Sequence, residues 1–183
     1  VSAGMGLPSV IGGVRRERVI RWDPWTVTFE GTHLQRASSA HVRTLRPHAA
    51  KDPVLRRALL REGKALCTVL PELEVHEGPQ PALVVPLPGH VAVEGHFGTQ
   101  DSGTRARVLE QVLAALRTWD EAGMGLPPLG YDELRNTGDR FVIVCLTATR
   151  DTDTANLFAD VSALLDPQAE GGDTPIDRLV AGF

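Results

Sequence analysis

An apolar run, Arg18–Trp22, a run rich in β-branched and aromatic residues, Trp25–Glu30, and an apolar-polar run, Ala40–Leu45, predict three strands within residues 14–46. The pair Asp23-Pro24 breaks the first run from the second, and Arg46-Pro47 closes the third. Residues 1–13 are uncharged and rich in glycine, which reads as a flexible lead-in. Pro47–Pro53 is expected as a turn that ends in a helix start, because Asp52 is a good N-cap residue and Pro53 suits the first helical position. Behind it Val54, Leu55, Ala58, Leu59, Ala65 and Leu66 recur at helical spacing. A short strand is expected within Val69–Val75, then a turn over Glu77–Pro81. The buried-type run Ala82–Leu87 follows and ends at Pro88-Gly89.

The second half opens with the strongest helix signal. Over Thr104–Ala122, one face carries Val108, Leu109, Val112, Leu113, Leu116 and Trp119, and Gly123 stands where a C-cap glycine belongs. Gly125–Arg135 reads as irregular, Arg140–Leu146 as a compact buried strand, and Thr147–Asn156 as a polar connection. A helix around Leu157–Leu165, a loop over Pro167–Thr174 and a short terminal helix over Pro175–Phe183 complete the chain. The segment Ala-Gly-Met-Gly-Leu-Pro occurs twice, at Ala3–Pro8 and Ala122–Pro127. No longer self-similarity surrounds it, so it does not indicate a domain duplication, and the sequence offers no physical account of it.

A chain of 183 residues can hold one sizeable core or two small lobes. No window approaches the roughly 18 apolar residues of a membrane span, and the first residues lack the basic flank and apolar stretch of a secretion signal. Cys67 and Cys145 lie in apolar runs and read as buried free thiols, so a cytoplasmic protein is expected. The net charge of −4 conceals an asymmetry: Val14–Leu66 carries twelve basic and five acidic residues, and the chain from Cys67 onward seven basic and eighteen acidic. A basic patch attracts nucleic acid. Here the arginines are scattered without aromatic interleaving or a lysine run, which favours two oppositely charged lobes with solvated faces over a nucleic-acid binder.

The order of these elements resembles a bacterial Ser/Thr protein kinase domain. Glu17–Ile20 is similar to the first strand of such kinases, Thr28–Thr32 to the second, Thr44–Pro47 to the third, and Leu60-Arg61-Glu62 to the helix after it. Asp160–Leu164 looks like the start of the large buried helix of the C-terminal lobe. The resemblance runs from about Val14 to Leu165 and rests on ordered weak matches. It implies an α+β fold of two lobes: an antiparallel N-lobe over residues 14–89 with one helix, and a truncated, mainly helical C-lobe over residues 90–183.

The same resemblance implies a set of lost catalytic groups. Kinases cover the phosphates with Gly-x-Gly-x-x-Gly, because glycine lets backbone N–H groups approach closely; those positions hold Arg21, Asp23 and Thr26. The third-strand lysine is replaced by Arg43, whose expected partner is Glu62 in a structural ion pair. The catalytic base falls at Pro128, which has no proton-accepting side chain. The metal-binding Asn position holds Glu133, expected at the surface. The metal-binding Asp position holds Cys145, a soft ligand where magnesium requires hard oxygen.

Other chemistry is less well supported. His90 and His96 with Glu94 make a weak metal spacing, and the six histidines read as surface or locally bonded. Ser38, Ser39 and Ser162 lack a nucleophile elbow. Trp22, Trp25 and Phe29 are expected to fill core under a collapsed loop rather than stack on a base or a partner. The implied function is a catalytically inactive pseudokinase without cofactor, serving as scaffold or regulator. Its expected partner is another protein, such as an active kinase, a phosphatase or their substrate, or a second copy of the chain. The alternatives are a nucleotide-binding switch without phosphotransfer and a nucleic-acid module using the basic N-terminal half. Membrane association is not expected.

Overall fold

The computed structural model describes residues 6–91, 102–124, 133–137 and 141–147. The chain divides into two compact units, Val1–Leu87 and Pro88–Phe183.

The first unit is a six-stranded antiparallel sheet with one helix. Strands β1 (Val10–Ile11), β2 (Val14–Trp22), β3 (Thr26–His33), β4 (Ser38–Leu45), β5 (Glu74–His76) and β6 (Ala82–Pro86) lie in the order β1-β2-β3-β4-β6-β5. Along β3 from Val27 the residues Val27, Phe29, Gly31 and His33 are buried while Thr28, Glu30 and Thr32 are half-buried, the alternation of a strand whose two faces differ in cover. In the central strands β4 and β6 both faces are covered, from Ala40 to Leu45 and from Ala82 to Val85.

One face of the sheet holds a core of Leu7, Ile11, Val14, Val27, Phe29, Ala40, Val42, Ala82 and Val84. Phe29 stands opposite Val42, and Val42 opposite Val84, so three strands contribute to one row. The sheet curls around this core until its two ends meet. A Cβ on Gly12, in the β1–β2 turn, would stand 2.6 Å from Val84 Cγ2 and 3.3 Å from His76 Cδ2, and this glycine has a φ of +56°. Only glycine allows both the conformation and the approach. Residues 6–13 are therefore not a loose lead-in: β1 pairs with β2, and Leu7 and Ile11 are buried because the curled sheet supplies a cover that no local signal announces.

Helix α1 (Pro53–Leu66) covers the other face. The Asp52 carboxylate accepts the N–H groups of Val54 and Leu55, and Pro53 opens the helix. Leu59, Gly63 and Leu66 face the sheet; at Gly63 an added Cβ would lie 2.3 Å from Leu83 Cδ2, so a bare backbone is what lets the helix sit down on β6. The turn before α1 contains a single 3-10 turn, Ala49–Lys51. The strand expected within Val69–Val75 instead occupies Glu74–His76, since residues after Leu66 continue through backbone turns to Leu73. Cys67 is half-buried rather than buried.

The second unit contains helix α2 (Ser102–Glu121) and a small sheet of β7 (His90–Val91), β8 (Leu134–Asn136) and β9 (Phe141–Ile143) in the order β7-β8-β9. Val112, Leu113, Leu116 and Trp119 form the buried face of α2, which packs against β9. The helix ends in a Schellman motif: Gly123, at φ +70°, donates to the Asp120 carbonyl at 2.8 Å and Met124 to the Trp119 carbonyl at 3.1 Å. Strand β8 begins in the stretch Gly125–Arg135 expected to be irregular and runs past it to Asn136, and β9 is shorter than the run Arg140–Leu146. The expected helices around Leu157–Leu165 and Pro175–Phe183 lie outside the described residues.

Candidate functional site

The residues singled out in the first unit converge on one hydrogen-bonded chain. It begins at the β2–β3 turn, where Asp23 N–H donates to the Thr26 carbonyl at 3.0 Å and closes the hairpin. The Asp23 carboxylate accepts the backbone N–H groups of Trp25 and Thr26, both at 2.7 Å, and the Thr26 hydroxyl at 2.5 Å. Burial alone would raise the Asp23 carboxyl. The Thr26 hydroxyl, the two N–H groups and the nearby Arg43 charge outweigh it and hold this carboxyl below its ordinary value of 3.8.

Thr26 passes the chain to β4. Arg43 Nε points at Thr26 Oγ1 at 3.4 Å, and Arg43 Nη1 donates to Glu62 Oε1 on α1 at 2.8 Å. The two partners of this ion pair are largely covered, with side chains 11% and 21% exposed, so solvent screens it less than a surface pair. Register explains the geometry: Arg43 lies opposite Thr28 on β3 and Leu83 on β6, on the sheet face that α1 covers, and Glu62 sits on the helix between the buried Leu59 and Leu66. Asp23, Thr26, Arg43 and Glu62 thus link the hairpin tip to the helix. Arg21 lies on β2 opposite Thr28.

The tip is also braced from outside. Arg46 N–H donates to the Trp25 carbonyl at 2.8 Å, Arg46 Nη1 to the Asp23 carbonyl at 3.4 Å, and His48 Nε2 lies 3.0 Å from the Pro24 carbonyl. The tryptophans are not core. Trp22 is 67% and Trp25 52% exposed, and Trp25 meets the His48 ring at a centroid distance of 5.9 Å; only Phe29 of the three aromatic residues is buried. The tight turn at Asp23–Thr26 and the brace from Arg46 leave no collapsed loop for the indoles to lie under.

In the second unit the candidate positions are sunk into the framework. Glu133, expected at the surface, is 6% exposed just before β8, and its carbonyl accepts Val144 N–H at 2.7 Å. The pairing of β8 with β9 carries it inward. Cys145 is 2% exposed, flanked by buried Val144 and Leu146, with its Sγ 3.8 Å from the Thr147 carbonyl. Arg135, which sequence reasoning passed over, is buried on β8 and directs Nε to the Pro88 carbonyl at 3.2 Å and Nη2 to the Gly89 carbonyl at 3.0 Å. Pro128 lies outside the described residues, as do His96 and Glu94. Among the described residues no three His, Cys, Asp or Glu side chains stand close enough to hold a metal ion. His33 and His41 are buried rather than at the surface, and His33 Nδ1 accepts the Arg36 N–H at 3.3 Å. No helix among the described residues is long and apolar enough to cross a membrane.

A curled antiparallel sheet with one helix, followed in the chain by a unit with a long helix and short strands, is the α+β protein-kinase-like fold. No family model matches the chain, and no curated protein matches it by sequence. Among solved structures it is similar to the kinase domain of PknI from Mycobacterium tuberculosis. A point variant of that domain gives a TM-score of 0.54 at 16% identity, covering 97% of this chain and 86% of that one. The unsubstituted domain gives a TM-score of 0.50 at 17% identity over 87% and 77% of the two chains, and a double variant gives 0.54 at 16% over 97% and 86%. At such identity the likeness establishes the fold; activity has to be argued from the residues.

Proposed function

We propose that this chain is a catalytically inactive, degenerate kinase-like domain that works by binding another protein, such as an active kinase, a phosphatase or their substrate. The chain Asp23–Thr26–Arg43–Glu62 carries this reading. In the kinase-like order these are two loop-glycine positions, the strand lysine and the helix glutamate. A nucleotide's phosphates need open N–H groups and an available cation there. Here the N–H groups of Trp25 and Thr26 bind a carboxylate of the protein itself, which repels a phosphate arriving at the same place. The Arg43 head is committed to Thr26 and Glu62.

The second unit supports the same reading. A buried thiol at position 145 is a poor magnesium ligand, and proline at position 128 accepts no proton. Positioning and charge neutralisation together make up most of phosphoryl-transfer catalysis, and both are missing from these positions. What persists is a sheet-and-helix framework with its own core.

The test is a thermal-shift titration of the full chain with ATP, with and without Mg²⁺, paired with a phosphotransfer assay on a generic protein substrate. No shift and no transfer are expected. A ligand at 100-fold over its dissociation constant adds about 2.7 kcal/mol, so a clear shift overturns the reading that the chain takes no nucleotide. A shift without transfer would instead make the chain a nucleotide-binding switch.

A further inference from the structure

We infer that the β2–β3 turn is a docking surface for an acidic segment of a partner protein, anchored on Trp25 and Trp22; this names the surface of the protein-binding function proposed above and rests on it. Two of the chain's three tryptophans flank one turn and remain 67% and 52% exposed. Each indole buries on the order of 150–250 Å² when covered, which makes a pair of them a strong interface anchor. They belong to a turn that is already ordered. The Asp23 carboxylate ties it from within, and Arg46 and His48 hold the carbonyls of Asp23, Pro24 and Trp25 from outside. A partner therefore spends little free energy on ordering it.

Charge selects the partner. The segment Val14–Leu66 contains twelve basic and only five acidic residues, and every one of those five is already engaged. Glu17 is bonded to Arg15 and Thr32, Asp23 to the turn, Glu30 to Arg18, Asp52 to the first turn of α1, and Glu62 to Arg43. The charge around the turn is accordingly basic in excess, with Arg46 on the Asp23 carbonyl, His48 against the Trp25 indole and Arg21 two residues before Asp23. A negatively charged partner is drawn in, and a positively charged one repelled. Single-stranded nucleic acid would need aromatic platforms spread along a cationic groove. Two indoles around a single Pro24 turn fit one apolar anchor of a protein segment instead.

The experiment uses the full chain and fluorescence anisotropy with four labelled probes: a short Asp/Glu-rich peptide with a central Leu-Pro-Phe anchor, the same peptide without the anchor, its Lys-for-acid counterpart, and an oligothymidylate. The anchored acidic peptide is expected to bind best and to weaken as salt is raised. Trp25→Ala is expected to lower its affinity about tenfold, and Trp25→Glu further. Leu34→Ala, at an exposed apolar residue of the β3–β4 turn, is expected to leave it unchanged. Circular dichroism melts establish that each variant is folded. Equal binding of acidic and lysine peptides, absence of acidic-peptide binding, preference for oligothymidylate, indifference to both Trp25 variants, or self-association that buries the turn each overturns the inference. Any of these results with an ATP-silent chain removes this surface and leaves the inactive reading standing; an ATP-induced shift removes the latter alone.

Discussion

The two units hold the polar residues singled out from the sequence in different ways. In the sheet unit, polar side chains at those positions bond to one another: Asp23 to the turn and Thr26, Thr26 to Arg43, Arg43 to Glu62. In the second unit, Glu133 and Cys145 are buried at strand β8 and just beyond β9, within a small apolar framework that includes Leu134, Ile143, Val144 and Leu146. The contrast teaches that polar residues can be accommodated in a framework by two routes. One satisfies each charge within a chain of partners; the other, at Cys145, places a weakly polar group where a charge would be expensive.

The largest effect expected from this contrast comes from introducing a carboxylate at Cys145 in the second unit. Cys145→Asp puts an ionisable group at a 2% exposed position, and the loss of stability is expected to exceed about 3 kcal/mol. Urea unfolding read from buried Trp119 measures it, because Trp119 is the one tryptophan of the second unit. A near-neutral result, or full rescue by Mg²⁺, would show that this position still accommodates a metal-binding carboxylate and would erase the difference between the units.

A smaller effect is expected in the sheet unit, where partners survive a substitution closer to solvent. Arg43→Ala leaves Glu62 and Thr26 without that guanidinium and is expected to cost about 2 kcal/mol. A double-mutant cycle with Glu62→Ala should return a coupling of about 1 kcal/mol. Simple additivity would mean that the pair is geometrically present but energetically idle.

The smallest effect is expected at the turn. Asp23→Asn keeps an acceptor but loses the charge, and should cost about 1 kcal/mol near neutrality. The Asp23 carboxyl titrates below its ordinary value of 3.8 in the folded chain, so its contribution is present above that value. It is lost as pH falls through the lower folded value. The gap between wild type and variant should therefore close in acid. A gap that widens as the pH drops would mean that the carboxylate is not held by the turn.

Legibility followed the range of the interactions involved. Helix α1 was readable from Asp52-Pro53 and its apolar stripe, and the end of α2 from Gly123, because caps act within a few residues. Arg43 and Glu62 were placed through the order of elements, and they meet because register sets Arg43 on the face that α1 covers. Strand β8 was missed: three residues carry too little periodicity, and its pairing with β7 and β9 is its main support. Arg135 was missed with it, since an isolated arginine gives no hint that its partners are the carbonyls of Pro88 and Gly89.

By itself the sequence determined the period of each long element and the positions of its caps and breakers. These depend on steric and hydrogen-bonding preferences that a short stretch of chain expresses alone. Tertiary structure decided which faces are covered. It folded Leu7 and Ile11 into the core, turned Glu133 inward, and left Trp22 and Trp25 outside. Alternation states that two residues share a face; only the packing of distant elements determines whether that face meets protein or water.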